Sequence, residues 1–499
     1  MPPLQPRNGA PRLQLRPGLP RTATLNQYDA VLLLVPEKSS PSPGLPDMPR
    51  WRTLHRRGAA KHGAVRVATL DNPRQTLAVL GYCRQDADAF EQLRVSGLLA
   101  HRALQERTHP RRIAVIAQTG AGDRASWQES LYAALAAHCF PMPSAKHSPD
   151  AAARPLTVDV YGTSRLNLRR VVATAESTNL VRYLTALPPN VLDTPGYRRL
   201  LGVLARRHGL RLRWYGEAAL EKLGAGAFLA VSRGNARRDA GIARLSYRPA
   251  RRSRKEPDVA LVGKGILFDT GGTNLKSHRS MLDMHTDMSG SAVVLASILA
   301  LAKLKAPLAV DAWLAITENS IGPAAYRPQE VIRAVNGTTI QVIHSDAEGR
   351  MVLADTLALA ARSKPRMLLD FATLTGACVH ALTERMSGLL SNNDALAAAA
   401  LAAGTRSGER LWRFPMPEDY DTDIESSVAD IAQCSLEGKG DHILAARFLQ
   451  RFVPKGLPWA HVDLSSAARR GGLAQVPTEI TGFGARFALA LLLDGKLPR

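Results

Sequence analysis

The chain has 499 residues, of which 45% are hydrophobic, and a formal net charge of +22 at pH 7. This length and composition indicate a globular protein of two or three domains with a sizeable core. Its longest apolar stretches are about a dozen residues, shorter than the roughly 20 that cross a bilayer, and no apolar signal-peptide core follows the start. We therefore expect no membrane association.

The four cysteines, Cys83, Cys139, Cys378 and Cys434, lie far apart and form no CxxC pair. This spacing is neither that of a zinc finger nor that of a disulfide scaffold. We therefore expect a reducing, cytoplasmic setting.

The positive charge arises because the chain has 65 Lys and Arg residues and only 43 Asp and Glu residues. A well-solvated basic surface is the commoner explanation, and contact with nucleic acid or another polyanion is the alternative. The chain has no RNP signature and no Cys/His finger that would favour the alternative.

The first part of the chain divides into a leader and a small domain. Residues 1–24 contain six prolines and no acidic residue, which predicts a disordered basic leader. Residues 25–161 are predicted to form an N-terminal α/β domain. Its expected strands are 30–35, 65–70, 76–81 and 112–117, and its expected helix is 126–138.

The remaining residues alternate between helical and strand patterns. Residues 162–190 are predicted to link the domains, with a helix over 166–185. Residues 191–499 are predicted to form a second, larger domain, an α/β fold with a central mixed sheet covered by helices. Its expected strands are 210–215, 242–247, 258–262, 308–317, 341–344, 367–371 and 459–463; its expected helices include 197–207, 291–300, 353–362 and 445–452.

Two stretches of this domain carry clustered charges. In the first, an apolar run over 259–262 predicts a buried strand, and Lys264 and Asp269 follow it. Ligands of open α/β sheets bind beyond the carboxyl ends of the strands. In the second, Asp346, Glu348 and Arg350 are spaced by two, which would place them on one side of an extended segment.

Asp269, Asp287, Asp346 and Glu348 form an oxygen-rich set that suits Mg²⁺ or Mn²⁺, although Zn²⁺ also accepts carboxylates. Four carboxylates exceed what one divalent ion needs, so two ions about 3.5–4 Å apart are the simpler arrangement. Lys276 and Arg350 could then face a developing oxyanion.

Other interpretations of the same residues stay open at this point. An Asp after a strand is more often a turn or helix cap than a metal ligand. The glycines around Lys264 could indicate phosphate binding, but the phosphate-loop and dinucleotide patterns are absent, as is a GxSxG elbow. His285 and His344 each lie two residues before an acid, although packed histidines are commoner than ligating ones.

Several motifs together resemble the leucine aminopeptidase (cytosol aminopeptidase) family over roughly residues 175–490. The charged positions agree in order and spacing. The motifs are VGKG at 262–265, FDTGG at 268–272, LK at 275–276, DM at 287–288, SDAEGR at 345–350 and ATLTGA at 372–377. Residues 178–190 resemble the segment that leads into the family's catalytic domain. Residues 459–463 resemble a segment near the end of that domain.

The resemblance implies a metal-dependent enzyme that releases N-terminal amino acids from peptides through a hydroxide bridging two divalent metals, Mn²⁺ or Zn²⁺. Asp269 and Glu348 would bridge the metals. The implied metal ligands are Lys264, Asp269, Asp287, Asp346 and Glu348.

The resemblance also implies roles for the remaining site residues. Lys276 would polarise the scissile carbonyl, and Arg350 would hold a bicarbonate ion that acts as general base. The substrate's free amine would bind a metal and Asp287. The implied pocket for the first side chain consists of Met284, Thr373, Leu374 and Gly376, and the implied assembly is a homo-hexamer.

The sequence departs from the family pattern at four uncharged or histidine positions. His344-Ser345 replaces Asn-Thr, Thr270 replaces Ser, and Ser289 replaces Gly. Because no functional charge is lost, a dinuclear metallo-aminopeptidase is the favoured hypothesis. The alternative is a weak or inactive family member that contacts nucleic acid or has a structural role.

Overall fold

The computed structural model describes residues 1–6, 9–120, 122–146, 155–162, 165–250 and 255–497. Residues 163–164 of the expected linking segment and the last two residues of the expected catalytic domain lie outside these ranges. Within them, the strands form three sheets with helices packed against them. The α/β class predicted from the sequence is confirmed.

The N-terminal part contains a six-stranded sheet in the order β1-β6-β5-β2-β4-β3, in which only β3 and β4 pair antiparallel. The strands are β1 (Arg12–Arg16), β2 (Ala30–Pro36), β3 (Val65–Thr69), β4 (Leu77–Cys83), β5 (Arg112–Ala117) and β6 (Thr157–Tyr161). The helices are α1 (Thr22–Leu25), α2 (Met48–Arg56), α3 (Ala89–Glu106) and α4 (Arg124–His138).

The prediction of a disordered leader over residues 1–24 is wrong for its second half. Residues 12–16 form β1, which adds an edge strand parallel to β6. Pro11 and Pro17 flank this strand, where a missing backbone N–H interrupts no ladder bond. Arg16 Nε donates to the fully buried Asp159 at 2.8 Å. Arg16, one of the basic residues of the predicted leader, therefore pairs with a buried carboxylate.

Helix α5 (Leu168–Thr185) connects the two parts, close to the predicted range. The division of the chain into domains at residues 161 and 190 stays a prediction. An eight-stranded mixed sheet follows in the order β15-β14-β17-β13-β9-β10-β8-β7. Its strands are β7 (Arg211–Gly216), β8 (Gly241–Tyr247), β9 (Val259–Asp269), β10 (Val310–Asn319), β13 (Met367–Ala372), β14 (Ser387–Ser391), β15 (Leu411–Arg413) and β17 (Trp459–Asp463).

A small three-stranded sheet lies beside it, in the order β11-β12-β16. Its strands are β11 (Val331–Arg333), β12 (Thr339–Gln341) and β16 (Ile431–Ala432). The remaining helices are α6 (Thr194–Arg207), α7 (Glu217–Leu223), α8 (Gly226–Ser232), α9 (His278–Met281), α10 (Ser289–Lys303), α11 (Glu348–Ala361), α12 (Gly376–Leu382), α13 (Asp394–Ser407), α14 (Asp441–Gln450) and α15 (Ala485–Asp494).

Strand β9 is central and is covered on both faces. It pairs parallel with β10 on one side and with β13 on the other. Val259 and Leu261 belong to the core cluster that includes α10, whereas Ala260 and Val262 belong to the cluster that includes α11. This alternation follows from the two-residue period of a strand.

Helix α10 approaches the sheet closely because two glycines lack a Cβ atom. A Cβ on Gly290 would lie 2.0 Å from the Phe371 carbonyl oxygen, and one on Gly263 would lie 2.6 Å from the Gly290 carbonyl oxygen. Any larger residue would push the helix away. The start of α10, and Asp287 just before it, are therefore held against β9.

The segment His278–Lys303 is long and apolar enough to cross a membrane by length and composition alone. However, 83% of its most apolar window is buried inside the fold. It also contains the separate helix α9 and a 3₁₀ turn before α10. Burial of this kind is typical of the core helix of a globular protein.

Candidate metal centre

The charged residues predicted from the sequence come from four segments, which meet near the carboxyl end of the central strand β9. Lys264 lies in the middle of β9 and Asp269 at its end. Asp287 follows a 3₁₀ turn at Met284–Thr286, and Glu348 begins α11. The predicted strand over 258–262 was too short, because β9 continues through the polar Lys264 to Asp269.

Lys264 bridges two of the carboxylates. Its Nζ atom lies 2.8 Å from Asp287 Oδ2 and 2.8 Å from Glu348 Oε1. It also donates to the Thr373 carbonyl oxygen at 3.0 Å. A Cβ on Gly349 would lie 2.7 Å from this Nζ atom, so glycine at that position makes room for the lysine.

Lys276 bridges the other two carboxylates. Its Nζ atom lies 2.9 Å from Asp269 Oδ2 and 2.5 Å from Asp346 Oδ1. The turn that brings Lys276 back contains Gly271 and Gly272, both with positive φ. Its backbone N–H closes the turn on the Thr270 carbonyl oxygen at 2.9 Å. The four carboxylates and two lysines thus form one network with an excess of negative charge.

Three of the carboxylates are close enough to share a cation. Asp269, Asp346 and Glu348 each offer an oxygen atom, and these atoms lie within 4.8 Å of one another. Glu348 is 1% exposed, and its Oε2 atom has no hydrogen-bond partner among the described residues. A buried carboxylate oxygen without a partner is costly, and a divalent ion would satisfy it. The donor set therefore fits a metal.

When no cation is present, burial and mutual repulsion raise the pKa values of Asp287, Glu348 and Asp346. Burial raises the pKa of Asp287 to about 7, and nearby Glu348 and Asp269 add to the rise although Lys264 opposes it. Burial and Asp269 likewise raise the pKa of Glu348 to about 7. The pKa of Asp346 rises to about 6 for the same two reasons.

The pKa values of the two lysines are raised as well, because the carboxylates favour the charged ammonium form. Burial lowers the pKa of Lys264, but Asp287, Glu348 and Asp269 outweigh it and hold the pKa above its usual value. The pKa of Lys276 is also raised, because Asp269, Glu348 and Asp346 outweigh burial. Without a metal both ammonium groups are charged, so Lys264 must lose its proton before its nitrogen can bind a metal.

Sequence reasoning missed the polar residues that hold Asp269 and Asp346 in place. Asn319 pairs with Asp269 across β10 and β9, and its Nδ2 atom donates to Asp269 Oδ1 at 2.8 Å and to the Ser345 carbonyl oxygen at 3.1 Å. Tyr326 donates its hydroxyl to the same carbonyl at 2.6 Å. Ser345 donates its hydroxyl to the Gly271 carbonyl at 2.6 Å. Only the position of Asn319, just past a predicted strand, could have indicated it.

The predicted substrate-pocket residues are brought together in part. Thr373 Oγ1 donates to Asp287 Oδ1 at 2.7 Å. A Cβ on Gly349 would lie 3.0 Å from Leu374 Cδ1, so Leu374 lies beside Lys264. Met284 lies on the 3₁₀ turn before Asp287, and Gly376 begins α12 in open space.

Asp463, which sequence reasoning did not assign, fixes this loop. It is the last residue of β17 and is 1% exposed. Its carboxylate accepts the Leu374 N–H at 3.1 Å and the Thr375 hydroxyl at 2.7 Å. The loop that contacts Asp287 and Lys264 is therefore tied to the sheet by a buried carboxylate.

Arg350 is buried and paired with a different carboxylate. Its Nη2 atom donates to both oxygens of Asp441, at 2.8 and 2.7 Å, and its Nη1 atom donates to the Gln433 carbonyl at 3.1 Å. Gln433 also holds the segment before α11, because its side chain contacts His344 and Ala347. Asp441 and Gln433 were not found from the sequence.

The prediction that Asp346, Glu348 and Arg350 lie on an extended segment is wrong. Asp346 lies in a turn, and Glu348 and Arg350 lie in the first turn of α11. The strand predicted over 341–344 is likewise reduced to β12, which ends at Gln341. The cluster forms because the 3.6-residue helical period sends Glu348 and Arg350 in different directions, one to the lysines and one to Asp441.

The two histidines for which the sequence left a ligand role open do not join the cluster, in agreement with the commoner packed role. Among the described residues, the group that could hold a cation consists of Asp269, Asp346 and Glu348, without His285 or His344. His344 is exposed, and its Nδ1 atom accepts the Asp346 N–H at 3.3 Å. Burial, together with Lys276 and Arg350, lowers its pKa. His344 therefore supports the turn.

An α/β fold that gathers acidic residues and lysines beyond the ends of buried strands is typical of metal-dependent enzymes. Comparison with known proteins identifies the family. Residues 179–489 match the family model described as cytosol aminopeptidase family, catalytic domain. The chain belongs to this family and is a metal-dependent aminopeptidase.

Curated relatives support this assignment. The probable cytosol aminopeptidase of Parasynechococcus marenigrum is 40% identical over 347 residues, which are 68% of this chain and 70% of the relative. The probable cytosol aminopeptidase of Methylorubrum extorquens is 39% identical over 352 residues, 70% of this chain and 69% of the relative.

A solved structure extends the likeness to the N-terminal part. The bottromycin maturation enzyme BotP in complex with Mn is similar with a TM-score of 0.79 and 31% sequence identity. The match covers 93% of this chain and 98% of that one. The N-terminal sheet is therefore part of the shared architecture.

Proposed function

We propose that this chain removes N-terminal amino acids from peptides with two divalent ions, Mn²⁺ or Zn²⁺, held by Lys264, Asp269, Asp287, Asp346 and Glu348. The observation that carries the proposal is the network in which two lysines bridge four carboxylates. In the metal-free protein the two lysines partly balance the negative charge that two cations would balance. Asp269 and Glu348 are the proposed bridging ligands.

When bound, the ions would supply an activated water as nucleophile and polarise the scissile carbonyl. The residues of the chain determine the rest. In the metal-loaded protein Asp269 and Asp346 would act as ligands instead of pairing with Lys276, whose ammonium group would then be free for the substrate. Lys276 would then donate to the oxyanion that develops on the carbonyl oxygen.

The free amine of the substrate is proposed to bind at Asp287. Thr373 Oγ1 orients this carboxylate by a 2.7 Å hydrogen bond. Met284, Thr373, Leu374 and Gly376 are proposed to line the pocket for the first side chain. Because Met284 and Leu374 are apolar, a leucyl-type preference is the proposed specificity.

The experiment compares leucyl and N-acetyl-leucyl reporter substrates with protein loaded with Mn²⁺ or Zn²⁺. We expect release from the free-amine substrate and little from the acetylated one, together with two metals per chain by elemental analysis. Folded, metal-loaded protein that releases no residue from any aminoacyl substrate would refute the proposal. One metal per chain with full activity would refute the dinuclear part alone.

The proposed assembly is a homo-hexamer, and the proposed setting is the cytosol for which the relatives are named. Analytical ultracentrifugation tests the assembly. No finding favours the alternative of a nucleic-acid-binding or structural protein, so the positive charge is best explained as a solvated surface.

A further inference from the structure

Arg350 is the residue that the family resemblance assigns to bicarbonate, and it already binds a carboxylate of the chain itself. Its side chain is 2% exposed, and that of its partner Asp441 is 24% exposed. Both oxygens of Asp441 accept from Arg350 Nη2, at 2.8 and 2.7 Å. The described contacts therefore leave little room for a second anion.

Asp441 and bicarbonate would compete for the same N–H groups of Arg350 because of the stereochemistry of a guanidinium. An anion with two oxygens binds to one of two parallel pairs of N–H groups, either Nε with Nη2 or Nη1 with Nη2. Nη2 contributes one N–H to each pair, and both Asp441 oxygens accept from it. Arg350 Nε is buried without a hydrogen-bond partner, but a single N–H cannot hold an anion by two bonds. Bicarbonate would therefore have to displace Asp441 from Nη2 or share Nη2 with it.

Two features hold Asp441 at this position. It is the first residue of α14, where the positive end of the helix dipole favours a carboxylate. Arg350 in turn is fixed by its bond to the Gln433 carbonyl oxygen. Bicarbonate and a carboxylate each present two oxygens that share one negative charge, so either one can fill the same face of an arginine.

We propose that Asp441 is the anion that Arg350 binds, so that this chain hydrolyses peptides without bicarbonate. The inference rests on the proposed aminopeptidase function, and it assigns Asp441 as a positioning residue for Arg350. It predicts a chain whose rate does not respond to bicarbonate until Asp441 is removed.

The experiment measures peptide hydrolysis by the metal-loaded full chain in degassed buffer, with and without bicarbonate. The unmodified chain should show the same rate in both. Asp441→Ala opens the face of Arg350, so its rate should fall by about 10–100-fold and recover when bicarbonate or formate is added. Asp441→Asn fills the same space without the charge, so its rate should fall and should not recover.

A matched control is the ion pair between Asp421 and Arg447, a residue of the same helix α14. Asp421 accepts from Arg447 Nε at 2.6 Å and from Arg447 Nη2 at 2.7 Å, and its other ion-pair partner, Arg451, lies outside the metal cluster. Asp421→Ala removes a comparable ion pair from α14. It should change neither the rate nor the response to bicarbonate.

Bicarbonate binding is also measured without activity, by ¹³C NMR titration of the chelator-treated protein. Saturable binding should appear in Asp441→Ala and not in the unmodified chain. Activation of the unmodified chain by bicarbonate, or an Asp441→Ala variant that neither binds nor responds to it, would overturn the inference. If no variant hydrolyses peptides, the proposed function fails and the titration still decides this inference.

Discussion

Lys264 Nζ lies 2.8 Å from Glu348 Oε1, and this contact joins the middle of strand β9 to the first turn of helix α11. The two residues are 84 positions apart in the sequence. The contact brings together two side chains that are both proposed metal ligands. Because the charged groups contact one another, we expect metal binding, substitution of a charged residue and a change of pH each to alter the site.

The first prediction concerns Lys276→Ala. Because Lys276 is proposed to donate to the developing oxyanion, its loss should lower kcat by about 10²–10³ while KM changes less. Metal content should stay near two per chain. Lys439→Ala, at an exposed lysine paired with Glu437, is the control and should leave kcat unchanged. A near-normal kcat for Lys276→Ala contradicts the role, and loss of metal reassigns Lys276 to metal binding.

The second prediction concerns Asp269, the proposed bridging ligand. Asp269→Ala removes the carboxylate that accepts from Asn319 and contacts Lys276. We expect both the rate and the metal stoichiometry to fall, as measured by kinetics and elemental analysis. Asp269→Asn keeps the shape and tests whether the charge is required. Unchanged metal content in both variants would show that Asp269 is not a ligand.

The third prediction concerns pH. The pKa values of Asp287 and Glu348 rise to about 7 and that of Asp346 to about 6, from ordinary values near 4. Between about pH 4 and 7 the folded metal-free site therefore holds protons that the unfolded chain has lost. The stability contribution of these groups is present at the acidic end of this window and is lost as pH rises through it.

Metal binding should reverse this trend, because the ligands must release those protons to bind a cation. Thermal unfolding of chelator-treated and metal-loaded protein across this window measures both effects. The Tm difference between the two forms should widen as pH rises. Buried Asp355 and Glu409, whose pKa values also rise to about 7, affect both forms alike and cancel in the difference. A gap that narrows with rising pH would contradict the prediction.

The fourth prediction concerns Asp463, which ties the Leu374–Thr375 backbone to β17. Asp463→Asn loses an acceptor for one of its loop contacts, so Thr373 should hold Asp287 less firmly. Because Asp287 is the proposed amine-binding group, we expect KM to rise by about tenfold, with a smaller change in kcat. Metal content should remain near two. A variant with normal KM, or one that loses only thermal stability, would show that Asp463 has a structural role alone.

The sequence by itself determined the elements that depend on local pattern. Strands β5 and β17 lie at the predicted residues. For β5 the physical reason is a continuous apolar run, which indicates a buried strand. The motifs around Lys264 and Glu348 identified the family, because the order and spacing of charged residues are properties of the chain. The leader was predicted wrongly because β1 is stabilised by its pairing with β6, and composition does not report a distant partner.

Only the tertiary structure decided which charges meet. Spacing by two suggested that Glu348 and Arg350 share a face, but α11 sends Glu348 to Lys264 and Arg350 to Asp441. Asp441, Asp463 and Asn319 reach the site from elements distant in sequence. Asp463 alone stands in a segment that resembles the family, and the sequence assigned it no role. Their positions follow from sheet order and from the close packing that Gly263 and Gly290 allow. Long-range packing therefore determines the partners of each charge.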